Sequence, residues 1–257
     1  MTKTSALAFA AAMALAIPAT SAQAAAIKLM ASGAMAHALQ EIGDDFAKKN
    51  GHTIEYTVST TGVLQDKLRG GEKADIIEVT SVGMDALVKE NLVDPATRIE
   101  VAKALVGVAV KDDTAMPNIA TPDALKQALM SAHSVAYIDP KIGGQAGATI
   151  IGVLKGMGIQ DEVAKKSVYG KTGAEAVQKM VAGEADIAIS FTSEILPIKG
   201  AKLVGPLPPA LQNPSSYAAA VPVGAPNPEL SKALLRAMQS AEAHKMITAA
   251  GLEPIAQ

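Results

Sequence analysis

Residues 27–62 read IKLMASGAMAHALQEIGDDFAKKNGHTIEYTVSTTG, and this stretch decides the fold class. Ile27 to Met30 is a short apolar run of strand length, followed by Ala31-Ser32-Gly33. Met35, Ala38, Leu39, Ile42 and Phe46 then recur at helical spacing, predicting a helix from Ala34 to Lys49. His37, Glu41, Asp44 and Lys48 take the opposite face, where a histidine is ordinarily solvated. Gly51 stops the helix, and Thr53 to Val58 alternates Ile54, Tyr56 and Val58 as a strand does. Strand, helix, strand in this order predicts parallel pairing through a helical crossover.

The same alternation continues outward. A helix runs through Leu64 and Leu68 to Gly70, a strand covers Ala74 to Val79, and Met84 to Glu90 is helical. Leu105 to Val110 is a strand interrupted by Gly107. Thr121 suits the N-cap and Pro122 the first position of a helix over Ala124 to Ala132. Ser134 to Ile138 reads as a strand, and Asp139 to Gln145 leads into a helix ending near Gly156. Lys165 to Tyr169 is extended, Gly173 to Ala182 helical, and Asp186 to Ser190 a buried strand. Val204 to Pro214 is proline-rich and reads as a linker, Tyr217 to Val221 as the last strand, and Pro228 to Ala250 as closing helices. No repeat of 20–50 residues is present.

The first 24 residues have the layout of a secretory signal peptide. Lys3 gives the positive start, Ala6 to Ile17 the apolar run, Pro18 the break and Ala22-Gln23-Ala24 the small-x-small cleavage site. The run is shorter than the ~20 residues of a membrane-spanning helix. The expectation is a mature chain starting near Ala25 in the periplasm. Its charge passes from -2 to -3 when Lys3 leaves, and no basic stripe marks it for nucleic acid. With 0 cysteines, thiol chemistry and disulfides are excluded. His37, His52, His133 and His244 are scattered without metal-ligand spacing, so neither a metal nor a cofactor is expected. Trp is absent and aromatics are few, which lowers sugars and bases as ligand classes.

In open α/β sheets ligands bind beyond the carboxyl ends of strands. Three such ends have the same chemical character, namely Ser32-Gly33, Ser59-Thr60-Thr61-Gly62 and Gly143-Gly144-Gln145. Each offers hydroxyls or bare backbone before a helix, whose first N–H groups lack partners and carry partial positive charge. Convergence of the three would hold a small anion with neutral donors. A serine or threonine in that position also serves as a plain N-cap. No phosphate-binding loop, dinucleotide fingerprint or nucleophile elbow occurs. Glu78 interrupts the apolar strand Ile76-Ile77-Glu78-Val79. Alternation turns it to solvent; a place in the cleft would instead raise its pKa and suit a general base.

Ala31-Ser32, Ser59-Thr60-Thr61-Gly62, Gly71-Glu72-Lys73-Ala74-Asp75 and Ala185-Asp186-Ile187 together resemble periplasmic solute-binding proteins, in particular the molybdate-binding-protein-like family. The resemblance spans essentially the whole mature chain. It implies a two-lobed type II binding-protein fold, α/β, each lobe a mixed sheet flanked by helices, with the ligand between lobes. Residues 25–108 with 216–257 would form lobe one and 109–215 lobe two, the chain crossing near Gly107 to Lys111 and near Pro206 to Tyr217. The implied function is capture of a small anion, an oxyanion such as molybdate or a small carboxylate, by a monomer that delivers it to an ABC transporter permease.

By the same resemblance the ligand residues are Ser32 and Ser59, with Gly33, Thr60 and Thr61 beside them and the backbone of Gly143 and Gly144 opposite. Molybdate binders carry a tyrosine after the strand matching Asp186 to Ser190; here Ser190-Phe191-Thr192 stands there, leaving Ser190 or Thr192 to replace its hydroxyl. Val204-Gly205-Pro206-Leu207-Pro208 and Gln212-Asn213 are similar to a neighbouring branch, the aconitate isomerases. That branch implies a 1,3-proton shift between cis- and trans-aconitate. Glu78 or His37 would be the base, and Lys67, Arg69 and Lys141 the source of positive charge.

Overall fold

Alternating strands and helices build two mixed sheets, each hydrogen-bonded within itself. The computed structural model describes residues 24–142 and 145–255. The expected leader therefore lies, apart from Ala24, outside the described residues, as do Gly143 and Gly144. In chain order the elements begin β1 (Ala26–Ser32), α1 (Ala36–Asn50), β2 (Thr53–Ser59), α2 (Thr61–Arg69), β3 (Ile76–Thr80), α3 (Ser81–Lys89), β4 (Ile99–Ala104) and β5 (Val106–Lys111). They continue with α4 (Pro122–Ser131), β6 (Val135–Ile138), α5 (Gln145–Gly156), α6 (Gln160–Ala164), β7 (Ser167–Gly170), α7 (Gly173–Val181) and β8 (Ile187–Phe191). The last are α8 (Thr192–Ile195), β9 (Ala201–Pro206), β10 (Ser215–Ala220), α9 (Pro228–Met238), α10 (Ala241–Ala249) and β11 (Leu252–Pro254).

The first sheet has the order β11-β4-β10-β3-β1-β2 and the second β7-β6-β8-β5-β9. In the first, β1, β2 and β3 are parallel, joined by helical crossovers. β10 then runs antiparallel between β3 and β4. β1 and β2 pair along their full length, from Ala26 opposite Thr53 to Ser32 opposite Ser59. That register sets the two serines side by side at the sheet's carboxyl edge. α1 covers the pair with Ala38, Leu39 and Ile42 and closes at Gly51, whose φ of 71° is left-handed.

The chain leaves the first sheet after Ala104 and enters the second at Val106; it returns between Pro206 and Ser215. The expected division at 108/109 cuts through β5, which bonds only to β8 and β9. Gln212 ties the two crossings together: its side-chain amide accepts from Val106 N–H (3.1 Å) and donates to Val106 O (2.9 Å). Three strands depart from the sequence reading. Residues 204–206, expected as linker, belong to β9, and β4 and β11 are strands where none is expected, so β10 is not the last strand. The core runs continuously through both sheets, with Leu29, Leu39 and Ile76 on one side and Val108, Tyr137 and Ile189 on the other. Phe191 of β8 and Tyr217 of β10 join them edge to face, ring centroids 6.3 Å apart.

Candidate functional site

The carboxyl edges of β1 and β2 face the N-termini of α5 and α7 across a cleft with ≈ 60 Å³ of free volume. On that measure one water needs ~10–15 Å³, so the space suits a compact ligand. Ser32 and Gly33 follow from β1, and Ser59, Thr60 and Thr61 from β2; all five line the cleft. Gly33 N–H donates to Ser59 O (3.1 Å), locking the two turns together. Thr60 caps α2 through a long bond from Val63 N–H (3.5 Å), while Thr61 Oγ1 accepts from Thr80 N–H (3.2 Å).

The opposite wall holds Gln145, Thr172, Gly173, Phe191 and Glu194; Tyr217 and the apolar Ala34, Val58, Ile138 and Ala146 complete the lining. Thr172 caps α7, accepting from Glu175 N–H (3.1 Å). Among the described residues no lysine, arginine or histidine lines the cleft. The cations considered for a carboxylate ligand have other partners or places: Lys67 pairs with Glu72 (2.7 Å), Arg69 with Glu90 (2.8 Å), and Lys141 is exposed. His37 sits exposed on α1 beside Glu41 (3.6 Å).

Glu78 is 0 % exposed, so alternation does not carry it to solvent, and it does not line the cleft either. β3 is an interior strand covered on both faces, where every position is buried. Its carboxylate stands directly behind the first turn, with Oε2 accepting from Ser32 N–H (2.7 Å) and Oε1 facing Ser32 Oγ (3.1 Å). Burial pushes its pKa up to about 8, and the two bonds from Ser32 offset part of that rise.

Ser190 and Thr192 fall behind the wall. Ser190 Oγ donates to Glu194 (2.6 Å), and Thr192 Oγ1 donates to Gly251 O (2.7 Å) at the crossing region, where its own N–H meets Leu105 O (2.9 Å). Sequence reasoning misses Glu194. It is buried in the wall, and it also accepts from the N–H groups of Phe191 and Gly173. Burial raises its pKa despite these donors. It occupies the third position of α8 and reaches back to the N-cap, the carboxyl half of a capping box; an acid three residues past a buried strand is the available signal. Tyr217 reads in the sequence only as a strand residue. Burial, then the charges of Glu78 and Glu194, hold its phenol well above the usual range. Next to Glu194, Ser193 Oγ donates to Ala34 O (2.6 Å), a buried bond from one sheet's unit to the other's.

The chain is 27% identical over 238 residues to an aconitate isomerase of Pseudomonas sp, covering 89% of this chain and 88% of that protein. It is 25% identical over 200 residues to the molybdate-binding protein of Escherichia coli (strain K12), covering 77% of each. The periplasmic molybdate-binding protein of Azotobacter vinelandii superposes with a TM-score of 0.77 at 18% identity, over 90% of this chain and 100% of that one. That likeness shows the two-lobed fold. The family described as bacterial extracellular solute-binding protein has a sequence model that matches residues 27–253, and the chain belongs to that family.

Proposed function

We propose that the protein captures a small anion in the cleft and delivers it, in the periplasm, to the permease of an ABC transporter. The observation that carries this reading is a cleft in which hydroxyls and helix N-termini stand among apolar side chains, with no cation among its described residues and with Glu194, its one carboxyl, pushed by burial toward the neutral form. Neutral donors suit a spectator oxyanion, which they bind without the desolvation cost of a buried ion pair. Ser32 and Ser59 would be the first donors and Thr60 and Thr61 the flanking ones, all four lining the cleft. Phe191 offers no hydroxyl where molybdate binders have a tyrosine, and the phenol bordering the cleft is that of Tyr217. Calorimetric titration of the mature protein with molybdate, sulfate and cis-aconitate tests the reading. One of these is expected to bind saturably, and Ser32→Ala with Ser59→Ala to weaken it by ~1–2 kcal/mol per lost donor. An affinity untouched by the double substitution puts the ligand elsewhere.

One observation favours a second reading, an aconitate isomerase. Glu194 presents a carboxyl to the cleft, with a pKa raised by burial, and a carboxyl beside a bound ligand is a candidate for moving its proton. In that reading Glu78 serves as the base only through Ser32, since it does not border the cleft. Following trans-aconitate by proton NMR with purified protein decides it: appearance of the cis isomer makes the protein an enzyme, and none leaves it a carrier.

A further inference from the structure

Glu78 has no part in holding a ligand directly, yet its geometry governs what Ser32 offers one. A serine hydroxyl has a single hydrogen to donate and two lone pairs. Glu78 Oε2 faces the Ser32 backbone N–H at 2.7 Å, and because that N–H always donates, Oε2 is an acceptor in every protonation state. A proton on the carboxyl therefore resides on Oε1, 3.1 Å from Ser32 Oγ. With Glu78 ionised, the serine hydrogen is drawn back to Oε1, and Ser32 turns lone pairs to the cleft, which an anion avoids. With Glu78 protonated, Oε1–H donates to Ser32 Oγ and the serine hydrogen is released to the cleft.

Resting on the capture reading, we propose that Glu78 is a proton-holding positioning residue, whose proton makes Ser32 an anion donor, so that ligand binding and proton retention are coupled. The titratable groups facing this carboxyl are consistent with the neutral form. Tyr217 on β10 feels its charge, Glu194 of α8 acts on the same phenol from across the cleft, and among the described residues no lysine, arginine or histidine acts on the carboxyl. Loss of one proton behind the turn thus removes one donor from a cleft that has no cation, among its described residues, to compensate.

The test is calorimetric titration with sulfate, which has no proton to lose near neutrality, and with molybdate and cis-aconitate. It runs from about pH 6 to about pH 10, in buffers of contrasting ionisation enthalpy, on wild type and Glu78→Gln. In the variant the side-chain carbonyl must accept from Ser32 N–H, which leaves the amide N–H to donate to Ser32 Oγ, as the protonated acid does. Wild type is expected to take up about one proton on binding above the carboxyl midpoint and to lose affinity about tenfold per pH unit there. Glu78→Gln is expected to lose the slope and the proton uptake that belong to Glu78, keeping only what Glu194, which borders the cleft, contributes. A wild type with no such slope, or a variant that retains it in full, overturns the coupling while leaving capture intact. Absence of saturable binding by all three anions overturns capture and the coupling with it. If the variant fails to fold, carbon NMR of the glutamate carboxyls in wild type stands in for it: the Glu78 midpoint must rise when ligand is added, and a midpoint that stays fixed rejects the inference.

Discussion

Two buried glutamates approach the same turn from opposite sides, and they are held in different ways. Glu78 makes both of its hydrogen bonds with one residue, Ser32, which itself lines the cleft. Glu194 receives bonds from the Ser190 hydroxyl and from the backbone of Phe191 and Gly173, three residues on two elements of its own half. Both carboxyls are pushed upward by burial. The proton state of the first is expressed at the ligand turn, whereas the second fastens β8 and α8 to the start of α7. A carboxyl's role is thus decided by what its donors are attached to rather than by how deeply it is buried.

The largest expected effect separates the two through pH. Glu78 titrates at about 8 when folded against an ordinary 4.5. Its folded pKa is the higher one, so its contribution to stability is complete below about 4.5 and is lost as pH rises through about 8. The loss is on the order of 5 kcal/mol for a shift of this size. Glu78→Gln cannot titrate, so its stability relative to wild type should improve by that order between acidic and alkaline pH in urea unfolding. Parallel curves for the two proteins would mean that Glu78 is not the group responsible. Glu194 shifts in the same direction, so part of the wild-type slope should survive in the variant.

Next in size is the fastening role. Glu194→Ala leaves the Ser190 hydroxyl and two backbone N–H groups without their acceptor, and buried donors orphaned in this way cost ~1–3 kcal/mol each before water relieves some of them. A destabilisation of about 3 kcal/mol at neutral pH is expected from the urea midpoint at constant slope. It should come without altering the share of the pH dependence that belongs to Glu78. A loss under about 1 kcal/mol would place Glu194 on a par with an ordinary surface capping acid.

How much of this is legible in the sequence follows from how local each signal is. The β1-α1-β2 unit carries its own evidence, because apolar spacing, Gly51 and a full-length parallel register all lie within residues 26–59. That register brings Ser32 and Ser59 together, and the first wall of the cleft is accordingly predictable. β4 and β9 are not. Ile-Glu-Val-Ala-Lys-Ala and Ala-Lys-Leu-Val-Gly-Pro are poor in β-branched residues. β4 is a strand because it lies between β10 and β11, more than a hundred residues away in sequence. Glu78 defeats the alternation rule because β3 is buried on both faces. Tyr217 and Glu194 gain their roles only when two distant sheets meet, and no window of sequence contains that meeting.

The smallest expected effect probes the meeting itself. A Cβ added at Gly33 would come 3.0 Å from Glu194 Oε1, a contact made across the cleft. Gly33 does not have a left-handed φ, so an alanine there meets crowding rather than backbone strain. Gly62, in the first turn of α2, has nothing within 4 Å of the same position, which makes Gly62→Ala the control without crowding. Since the crowded atom belongs to the facing wall, the structure can relieve it by parting the two halves slightly instead of unfolding. Gly33→Ala should therefore cost no more than ~1 kcal/mol in global stability, yet raise the radius of gyration of the unliganded protein in the small-angle scattering profile and weaken ligand binding through impaired closure. Gly62→Ala should do neither. A Gly33→Ala protein with an unchanged profile but a full-sized loss of stability would mean that the two halves are held rigidly at this contact. Ligand entry would then need local opening elsewhere, with the turn bearing Thr60 and Thr61 as the next place to look.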